Sequence, residues 1–510
     1  MICVALGRTR HRMMIAAHQA LADVGVGLVE LRVDWLARNP DLSRVIKERP
    51  TPIIVTCRRP QDGGRWRGPE EDRIMLLRQA IAAGVDYIDL ETDVAMKIPR
   101  FGKTKRIVSY HNYQETPDNL EEIQETLSKQ NADIVKIVTM ANSPADNVKL
   151  LKLIPDAQVP TIAFCMGDFG IPSRILCGKY GAPFTYATFS KERLLAPGQL
   201  SFEDMRDIYH FDQLNRETKV YGVIGDPIAH SWSPQIHNAA FKNLAINAVY
   251  VPFRIPADDL KPALREFEWL DIRGYSVTIP HKEAIAGMVS HVDANVTDSG
   301  AANTLYKNSQ DKWCAINTDY EAALTVIREK VTETGGGTLE GKRVMLLGAG
   351  GVARAIGLAL TRAGAAITVT NRSKERGKAL AEQLKCQFLG WENRGTPFVD
   401  ILVNCTPIGM FPDTESTPFN QNWLRDGMIV FDTIYNPETT LLLKEAKVHF
   451  CHTISGLEMF VRQAAEQFEC FTGGPAPLDV MRSTLRKAIS PVRIRSEKLP
   501  EPNTPKDGVD

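Results

Sequence analysis

A glycine-rich turn between a short apolar run and a helical pattern is the feature that most constrains the fold of this chain. The stretch RVMLLGAGGVARA (343–355) predicts a buried strand, a tight turn and a helix that begins near Gly351. Gly348 and Gly350 leave bare backbone for phosphates, and Ala353 lets the helix pack closely on the strand. Because unpaired N–H groups at a helix N-terminus attract anions, the pattern predicts a dinucleotide site of the Rossmann type.

Residues at the end of the next predicted strand indicate which dinucleotide binds. The strand 366–370 runs into Asn371, Arg372 and Ser373. An acidic residue at this point would bind the ribose 2′-hydroxyl of NAD, whereas an amide and a guanidinium suit the 2′-phosphate of NADP. A lone glycine turn can be purely structural, but here strand, turn, helix and strand-end residues agree. We therefore expect NADP(H) in a Rossmann subdomain that spans 321–455.

Length, charge and cysteine usage limit the remaining possibilities. A chain of 510 residues is too long for one hydrophobic core, so two or three domains are expected. Its 61 Lys+Arg balance 61 Asp+Glu, which argues against nucleic-acid and membrane partners. The nine cysteines show no CxxC pair and no zinc spacing, which predicts reduced thiols and no metal. Because MICVALGRTR (1–10) leads straight into a predicted strand, we expect no targeting segment and a cytoplasmic protein.

Short apolar runs alternate with amphipathic stretches through the first 200 residues. Eight strands are predicted, over Ile2–Leu6, Leu28–Val33, Ile53–Cys57, Val85–Leu90, Arg106–His111, Asp133–Val138, Pro160–Met166 and Phe184–Thr188. Eight βα units in this length predict a compact (β/α)8 TIM barrel. An open doubly wound sheet is the alternative.

Polar residues and one methionine collect where these strands end, which is where a barrel carries its catalytic groups. They are Glu30, Arg32, Arg58, Glu91, His111, Lys136, Met166 and Arg174. Lys136 is the most informative of them, because it interrupts the apolar strand DIVKIV (133–138). A lysine in such a place either extends to the strand end or takes part in chemistry.

The chemistry available to Lys136 is that of an amine nucleophile. A free lysine has a pKa of about 10.4, so only on the order of one in a thousand is neutral near pH 7.4. Burial and nearby arginine charges are expected to lower that pKa and to allow attack on a ketone, giving a Schiff base. The iminium acidifies the adjacent carbon, and His111 on the neighbouring strand is placed to take the proton. A structural hydrogen bond is the plainer role for a histidine.

Several separated motifs in the first half carry a family resemblance. They are ELRVD (30–34), TCRR (56–59), SYHNYQETP (109–117), ADIVKIVTM (132–140), the loop 166–174 and APGQ (196–199). In this order they resemble type I 3-dehydroquinate dehydratase. The resemblance implies Lys136 as the Schiff-base residue and His111 as the general acid and base. It also implies substrate contacts from Glu30, Arg32, Arg58, Met166, Arg174, Tyr186 and Gln199, with Arg174 on the carboxylate.

Two positions depart from that family pattern. Asp62 stands where the family usually has a glutamate that orients the histidine, so its side chain is one methylene shorter. Leu195 stands where the family often has a serine, which removes one hydrogen bond to the substrate.

Beyond a predicted linker at 201–218, the second half offers its own polar groups. Ser231 and Ser233 lie near the start of a predicted helix, where hydroxyls can simply cap the helix. Lys282 and Asp319 follow predicted strands and could form a surface ion pair. If the two converge on a carbonyl group, the lysine can protonate its oxygen while the aspartate positions it.

A second resemblance covers this half of the chain. The matching motifs are SWS (231–233), VTIPHKE (277–283), GAANTL (300–305), GAGGVARA (348–355), VNCTPIGM (403–410), FDTIYNP (431–437) and GLEMFVRQAA (456–465). They resemble shikimate dehydrogenase, which implies catalysis by Lys282 and Asp319. The implied substrate contacts are Ser231, Ser233, Thr278, Asn303, Asp319, Tyr435 and Gln463. The implied NADP site is lined by Gly348, Ala349, Gly350, Gly351, Val352, Ala353, Asn371, Arg372, Ser373, Thr406, Met410 and Gly456.

The sequence therefore predicts an α/β chain with a TIM barrel at 1–200 and a two-subdomain reductase behind it. The substrate subdomain spans 219–320 and is completed by 456–490, and a disordered tail is expected at 491–510. We expect dehydration of 3-dehydroquinate through a Lys136 imine, followed by NADPH-dependent reduction of 3-dehydroshikimate to shikimate. Alternatives are a quinate-preferring dehydrogenase, against which Ser233 argues, and a non-catalytic regulator. Oligomeric state stays open.

Overall fold

The computed structural model describes residues 1–37, 40–190, 195–229 and 231–490. The described chain forms two compact units, the first from residues 1–229 and 247–272 and the second from 231–246 and 273–490. The tail predicted at 491–510 lies outside the described residues.

Eight parallel strands form a nearly closed barrel in the first unit. They are β1 (Ile2–Leu6), β2 (Leu28–Arg32), β3 (Ile53–Thr56), β4 (Tyr87–Glu91), β5 (Lys105–Asn112), β6 (Ile134–Met140), β7 (Thr161–Met166) and β8 (Thr185–Thr188). Each strand from β1 to β6 pairs with the next, and β8 pairs with β1 on its other side. An open doubly wound sheet would reverse its strand order at a switch point. The predicted barrel is therefore confirmed.

Helices and tight turns connect these strands. The helices are α1 (His11–Asp23), α2 (Leu42–Ile46), α3 (Glu70–Ala82), α4 (Thr92–Ala95), α5 (Leu120–Ser128), α6 (Asp146–Lys152) and α7 (Ile171–Leu176). The segment predicted as a linker holds a π-helical turn, Asp204–Ile208, and a 3-10 turn, Phe211–Gln213. Met205 and Phe211 are buried there, so this segment packs as part of the first unit.

Apolar side chains fill the barrel interior and leave one lysine among them. Ile107, Ile134 and Val138 belong to this interior cluster. Because side chains alternate between the two faces of a strand, Lys136 on β6 shares the inward face with Ile134 and Val138. The lysine is 5% exposed, so it does not extend to bulk water.

The elements between the barrel and residue 317 belong to both units. They are β9 (Lys219–Gly225), α8 (Ser233–Asn243), β10 (Ala248–Arg254), α9 (Leu260–Glu266), β11 (Ile272–Val277), α10 (Lys282–Ala286), β12 (His291–Val292), α11 (Ala294–Ser299), β13 (Thr304–Lys307) and β14 (Trp313–Ile316). In the first unit β9 and β10 pair in parallel. In the second unit β13 pairs antiparallel with β11 and β14, and β12 lies parallel to β14.

A parallel sheet with helices on its faces completes the second unit. Its elements are α12 (Thr318–Glu333), β15 (Arg343–Leu347), α13 (Gly351–Arg362), β16 (Ala366–Asn371), α14 (Lys374–Leu384), β17 (Gln387–Gly390), β18 (Ile401–Asn404), β19 (Ile429–Asp432), α15 (Leu441–Val448), β20 (His452–Ser455), α16 (Gly456–Thr472) and α17 (Leu478–Ile489). The strand order β17-β16-β15-β18-β19-β20 is that of a Rossmann fold, which confirms the second predicted architecture. Its switch point lies between β15 and β18.

Within residues 1–37, 40–190, 195–229 and 231–490, no helix has the length and apolar character needed to cross a bilayer. The same ranges hold no group of three or more His, Cys, Asp or Glu side chains arranged to hold a metal ion.

Candidate active sites

The barrel mouth gathers all nine residues that the dehydratase resemblance implies for the first site. One cavity is lined by Glu30, Arg32, Arg58, His111, Lys136, Met166, Arg174, Tyr186 and Gln199. Parallel strands deliver their carboxyl ends to one rim, which is why residues so distant in sequence meet. The cavity is also lined by Leu195, Tyr113 and Phe164.

Lys136 lies between two carboxylates and an aromatic ring. Its Nζ is 3.0 Å from Asp89 Oδ2 and 3.7 Å from Glu30 Oε1. It also lies 3.9 Å from the centre of the Tyr186 ring. The sequence predicts arginines beside this lysine and gives no sign of Asp89. The neighbours of its Nζ are therefore two carboxylates and a ring face rather than the expected arginines.

Asp89 was missed although Glu91, on the same strand, was singled out. Asp89 and Glu91 are two residues apart on β4, so the alternation of side chains along a strand places both on the same face. Glu91 forms an ion pair with Arg73 at 2.8 Å, and neither carboxylate lines the cavity, but Asp89 Oδ2 lies 3.0 Å from Lys136 Nζ. Asp89 is therefore the carboxylate that this strand brings to Lys136.

Arg58 connects Asp89 to His111. Its Nη2 is 2.8 Å from Asp89 Oδ1, and its Nη1 is 3.0 Å from His111 Nδ1. Because a guanidinium can only donate, Nδ1 is the acceptor and the ring proton lies on Nε2. Burial and the Arg58 charge hold the pKa of His111 well below its usual value. The imidazole is therefore neutral, the form that can accept a proton.

The two family departures have visible structural consequences. Asp62 Oδ2 accepts a hydrogen bond from Arg59 Nε at 2.6 Å, and its backbone carbonyl accepts one from the Tyr113 hydroxyl at 3.0 Å. The contact at His111 Nδ1 comes from Arg58, so a cation stands where a carboxylate was expected. Leu195 lines the cavity, and its backbone N–H donates to Gln199 Oε1 at 2.9 Å.

Arg174 is a buried cation suited to an anionic group. It is 2% exposed, and its Nη2 donates to the Pro197 carbonyl at 3.2 Å, while its Nε has no partner within the described chain. Burial lowers the pKa of Arg174 to about 10. A buried charge is costly unless it is paired, so this geometry favours a bound carboxylate.

The remaining barrel residues are held by local bonds. Glu30 accepts from Thr56 at 2.8 Å, and Arg32 forms a two-point pair with Asp34. Tyr186 is 4% exposed, and its hydroxyl has no partner within the described chain.

In the second unit, Lys282 and Asp319 meet directly. Lys282 begins α10, Asp319 lies in the first turn of α12, and Nζ is 2.6 Å from Oδ2. Their side chains are 22% and 13% exposed, so this is not an ordinary surface ion pair. A carbonyl oxygen placed beside this pair would meet a proton donor held by a carboxylate.

Asn303 fixes the segment around this pair. Its Oδ1 accepts from the Thr318 N–H at 2.9 Å, and Ala302 N donates to the Lys282 carbonyl at 2.8 Å. The buried Gln467 on α16 donates to the Asn303 carbonyl at 3.2 Å and accepts from Ser276 at 2.5 Å. Gln467 was not anticipated, because an amide inside a helical apolar pattern gives no distinct signal.

The other predicted substrate residues lie in the same unit, four of them at element ends or in loops and Gln463 inside α16. Ser231 Oγ accepts from the Ser233 N–H at 3.3 Å, as a helix-start residue would, and Thr278 follows β11. The Tyr435 ring packs on Phe460 at 4.5 Å, and Gln463 donates to the Phe460 carbonyl at 2.9 Å.

The glycine turn has the geometry that a pyrophosphate needs. Gly348 has φ +113°, and a Cβ there would lie 3.1 Å from the Cys405 carbonyl oxygen. A Cβ at Gly350 or Gly351 would meet nothing within 4 Å. Helix α13 begins at Gly351 with no side-chain cap and no acidic residue in its first turn. These features fit a dinucleotide.

The other residues predicted to line the NADP site lie at or beyond the ends of β16, β18 and β20 in the same sheet. Asn371 donates to the Ser373 carbonyl at 2.9 Å, and Ser373 caps α14, while Arg372 is exposed. Thr406 follows β18, Met410 is 47% exposed, and Gly456 approaches the Thr433 carbonyl too closely for any Cβ. Ala349, Val352 and Ala353 pack the turn onto the Rossmann core.

Family models match both halves of the chain. The model for type I 3-dehydroquinase matches residues 2–216, and the shikimate dehydrogenase substrate-binding domain matches 223–305. The shikimate/quinate 5-dehydrogenase model matches 329–397, and the shikimate 5′-dehydrogenase C-terminal domain matches 456–486.

Similar proteins agree with these matches. The chain is 38% identical to the chloroplastic bifunctional 3-dehydroquinate dehydratase/shikimate dehydrogenase of Arabidopsis thaliana, over 96% of this chain and 84% of that protein. It is 37% identical to the NADP(+) shikimate dehydrogenase of Methanothermobacter thermautotrophicus, over 54% of this chain and 98% of that protein. A crystal structure of a shikimate dehydrogenase in complex with NADP+ aligns with a TM-score of 0.50 at 36% identity, covering 54% of this chain and 97% of that one. The chain therefore belongs to the family of bifunctional 3-dehydroquinate dehydratase/shikimate dehydrogenases.

Proposed function

We propose that this bifunctional shikimate-pathway enzyme dehydrates 3-dehydroquinate at Lys136 and reduces the product with NADPH at Lys282 and Asp319. The observation that carries the first assignment is a buried lysine at a barrel mouth, which shares its cavity with a neutral histidine and with a buried arginine whose Nε has no partner among the described residues. In the dehydratase site, the Lys136 amine attacks the substrate ketone, and water leaves to give an iminium. Arg174 holds the substrate carboxylate during this step.

His111 moves the proton in the elimination that follows. Arg58 occupies His111 Nδ1 in this structure, and it is also a proposed substrate contact. When the substrate takes over the Arg58 guanidinium, Nδ1 becomes able to accept the proton from the carbon next to the iminium. The same imidazolium then returns that proton to the departing hydroxyl, which leaves as water. Hydrolysis of the imine releases 3-dehydroshikimate and the free lysine.

The pH dependence of dehydration tests this role of His111. The neutral imidazole must accept a proton, and its pKa lies well below the ordinary value of 6.5. Activity should therefore persist as pH falls below 6.5 and be lost only as pH passes through the lowered pKa. The measurement is the pH profile of kcat/KM for 3-dehydroquinate. An acid limb at or above 6.5 would contradict the assignment.

The reductase reaction needs a hydride, which NADPH supplies when bound. Lys282 protonates the developing oxyanion of the ketone, and Asp319 holds the ammonium in place at 2.6 Å. Ser231, Ser233, Thr278, Asn303, Tyr435 and Gln463 hold the hydroxyl and carboxylate groups of the substrate.

The dinucleotide turn makes a prediction for Gly348. A Gly348→Ala change forces a left-handed φ on alanine and brings its Cβ 3.1 Å from the Cys405 carbonyl oxygen. We expect the KM for NADPH to rise on the order of tenfold or more, while dehydration is unchanged. Gly337→Ala is the matched control, because Gly337 also has a positive φ but open space around it. Equal effects of the two changes would reject a specific role for this turn.

The proposal also states a preference for shikimate over quinate as the substrate and for NADP over NAD as the cofactor. Ser233 and Arg372 support shikimate and NADP over quinate and NAD. The test compares kcat/KM for shikimate and quinate with each dinucleotide. A preference for quinate with NAD would favour the alternative dehydrogenase. A non-catalytic regulator is disfavoured because Lys136, His111, Lys282 and Asp319 are all present.

The cellular compartment and the binding partners of the protein are also part of the proposal. All nine cysteines are free thiols, which supports a reducing compartment such as the cytoplasm. The balanced charge supports small molecules as the partners, without nucleic acid or membrane.

A further inference from the structure

Helix α13 also makes polar contacts from its side, through two arginines. Arg354 lies one turn into the helix, and its Nη1 is 3.0 Å from Glu283 Oε1. The same Nη1 lies 3.5 Å from the Ser299 carbonyl oxygen. These contacts join the helix that follows the dinucleotide turn to the residue next to Lys282.

A second arginine on α13 extends this contact surface. Arg362 pairs with Asp298 and donates to Asn295 Oδ1 at 3.2 Å. Residues 354 and 362 are eight apart, so they lie on one face of the helix. This arginine face, defined by Arg354 and Arg362, thus holds both α10 and α11 against α13.

We infer that Arg354 is a positioning residue for the reductase, acting through Glu283 on the helix that begins with Lys282. The inference rests on the proposed catalytic role of Lys282. Pyrophosphate binding fixes one end of α13, and the proton donor stands at the start of α10. A bond between the two helices therefore sets the distance from the dinucleotide to the proton donor.

The chemistry of the two partners makes the inference testable. Arg354 alone is ambiguous, because a guanidinium near the first turn of α13 could also bind a phosphate. Glu283 is not ambiguous, because a carboxylate repels a phosphate. A reductase defect caused by neutralising Glu283 therefore reports on the contact between helices.

The experiment uses Arg354→Gln, Glu283→Gln and the double variant of the full chain. We expect each single change to lower kcat for reduction about two- to fivefold, and the double change to cost no more than either single one. The dehydratase activity of the same preparations should stay at the wild-type level, which reports on folding. Arg343→Gln is the matched control, because Arg343 forms an exposed pair with Asp400 at the start of β15.

Salt provides a readout that a purely structural role would not give. Between about 0.1 M and 1 M KCl the Debye length falls from about 10 Å to about 3 Å, so an exposed pair is screened. Wild-type kcat should fall toward that of the variants, whose kcat should change less. The inference would be overturned if Glu283→Gln reduced its substrate with the same kcat as the wild type. It would also be overturned if the losses in kcat from the two single changes multiplied in the double variant. Full reduction by Lys282→Ala would instead reject the proposed function on which it rests.

Discussion

Replacing Lys136 with alanine should lower dehydratase kcat by at least about a thousandfold, because the nucleophile that forms the imine is lost. Asp89 and Glu30 would then lose the ammonium group beside them, although Asp89 would keep its ion pair with Arg58. The direct measurement is borohydride trapping with 3-dehydroquinate, followed by mass spectrometry of the peptide that contains residue 136. The wild-type peptide should gain the mass of the reduced adduct, and the variant peptide should not.

Lys149→Ala is the control for that experiment. Lys149 is a barrel lysine that pairs with Asp118 and is 43% exposed, so its loss should leave dehydration and trapping unchanged. A wild-type Lys136 peptide that stays unmodified during turnover would refute the imine mechanism.

Replacing Lys282 with alanine should abolish reduction and leave dehydration intact. Removing a positioned proton donor costs roughly a hundred- to ten-thousandfold in rate. The loss should appear in kcat for 3-dehydroshikimate reduction, followed through NADPH consumption. Dehydration should continue because its catalytic groups belong to the other compact unit.

Lys330→Ala is the control for the Lys282→Ala experiment, because it also removes a lysine from the second unit. Lys330 lies on α12, the helix that carries Asp319, and pairs with the exposed Glu333. Its replacement should leave both activities unchanged. Loss of both activities in Lys282→Ala would contradict independent sites.

The alternation of apolar and amphipathic stretches predicts the architecture, and the errors in the predicted strand bounds have local causes. The β4 strand was expected from Val85, but it begins at Tyr87. Val85 N donates to the Ala80 carbonyl just after Gly84 adopts φ +73°, so this valine closes the preceding helix. Hydrophobicity alone cannot tell a helix-closing residue from the first residue of a strand.

The sequence predicts which residues form each site, but not which of them pair through hydrogen bonds and ion pairs. Strand ends predicted most of the residues that meet at the barrel mouth, and the family resemblance added Tyr186 and Gln199. Whether Asp89 or Glu91 reaches Lys136 depends on the position of Arg73, which binds Glu91 from a helix outside the strand. The contact between Arg58 and His111 likewise depends on side-chain geometry across strands. Such pairings have no periodic signature, so sequence could not supply them.

The central claim is that one chain carries two independent chemical sites, at Lys136 and at Lys282. A coupled assay tests it most directly, with 3-dehydroquinate and NADPH as substrates and with enone absorbance and NADPH loss followed together. Lys136→Ala alone should do neither, and Lys282→Ala alone should accumulate enone without consuming NADPH. An equimolar mixture of the two variants should restore NADPH consumption, because released 3-dehydroshikimate can reach the intact reductase. A mixture that forms no shikimate, or NADPH loss by Lys136→Ala alone, would contradict the account.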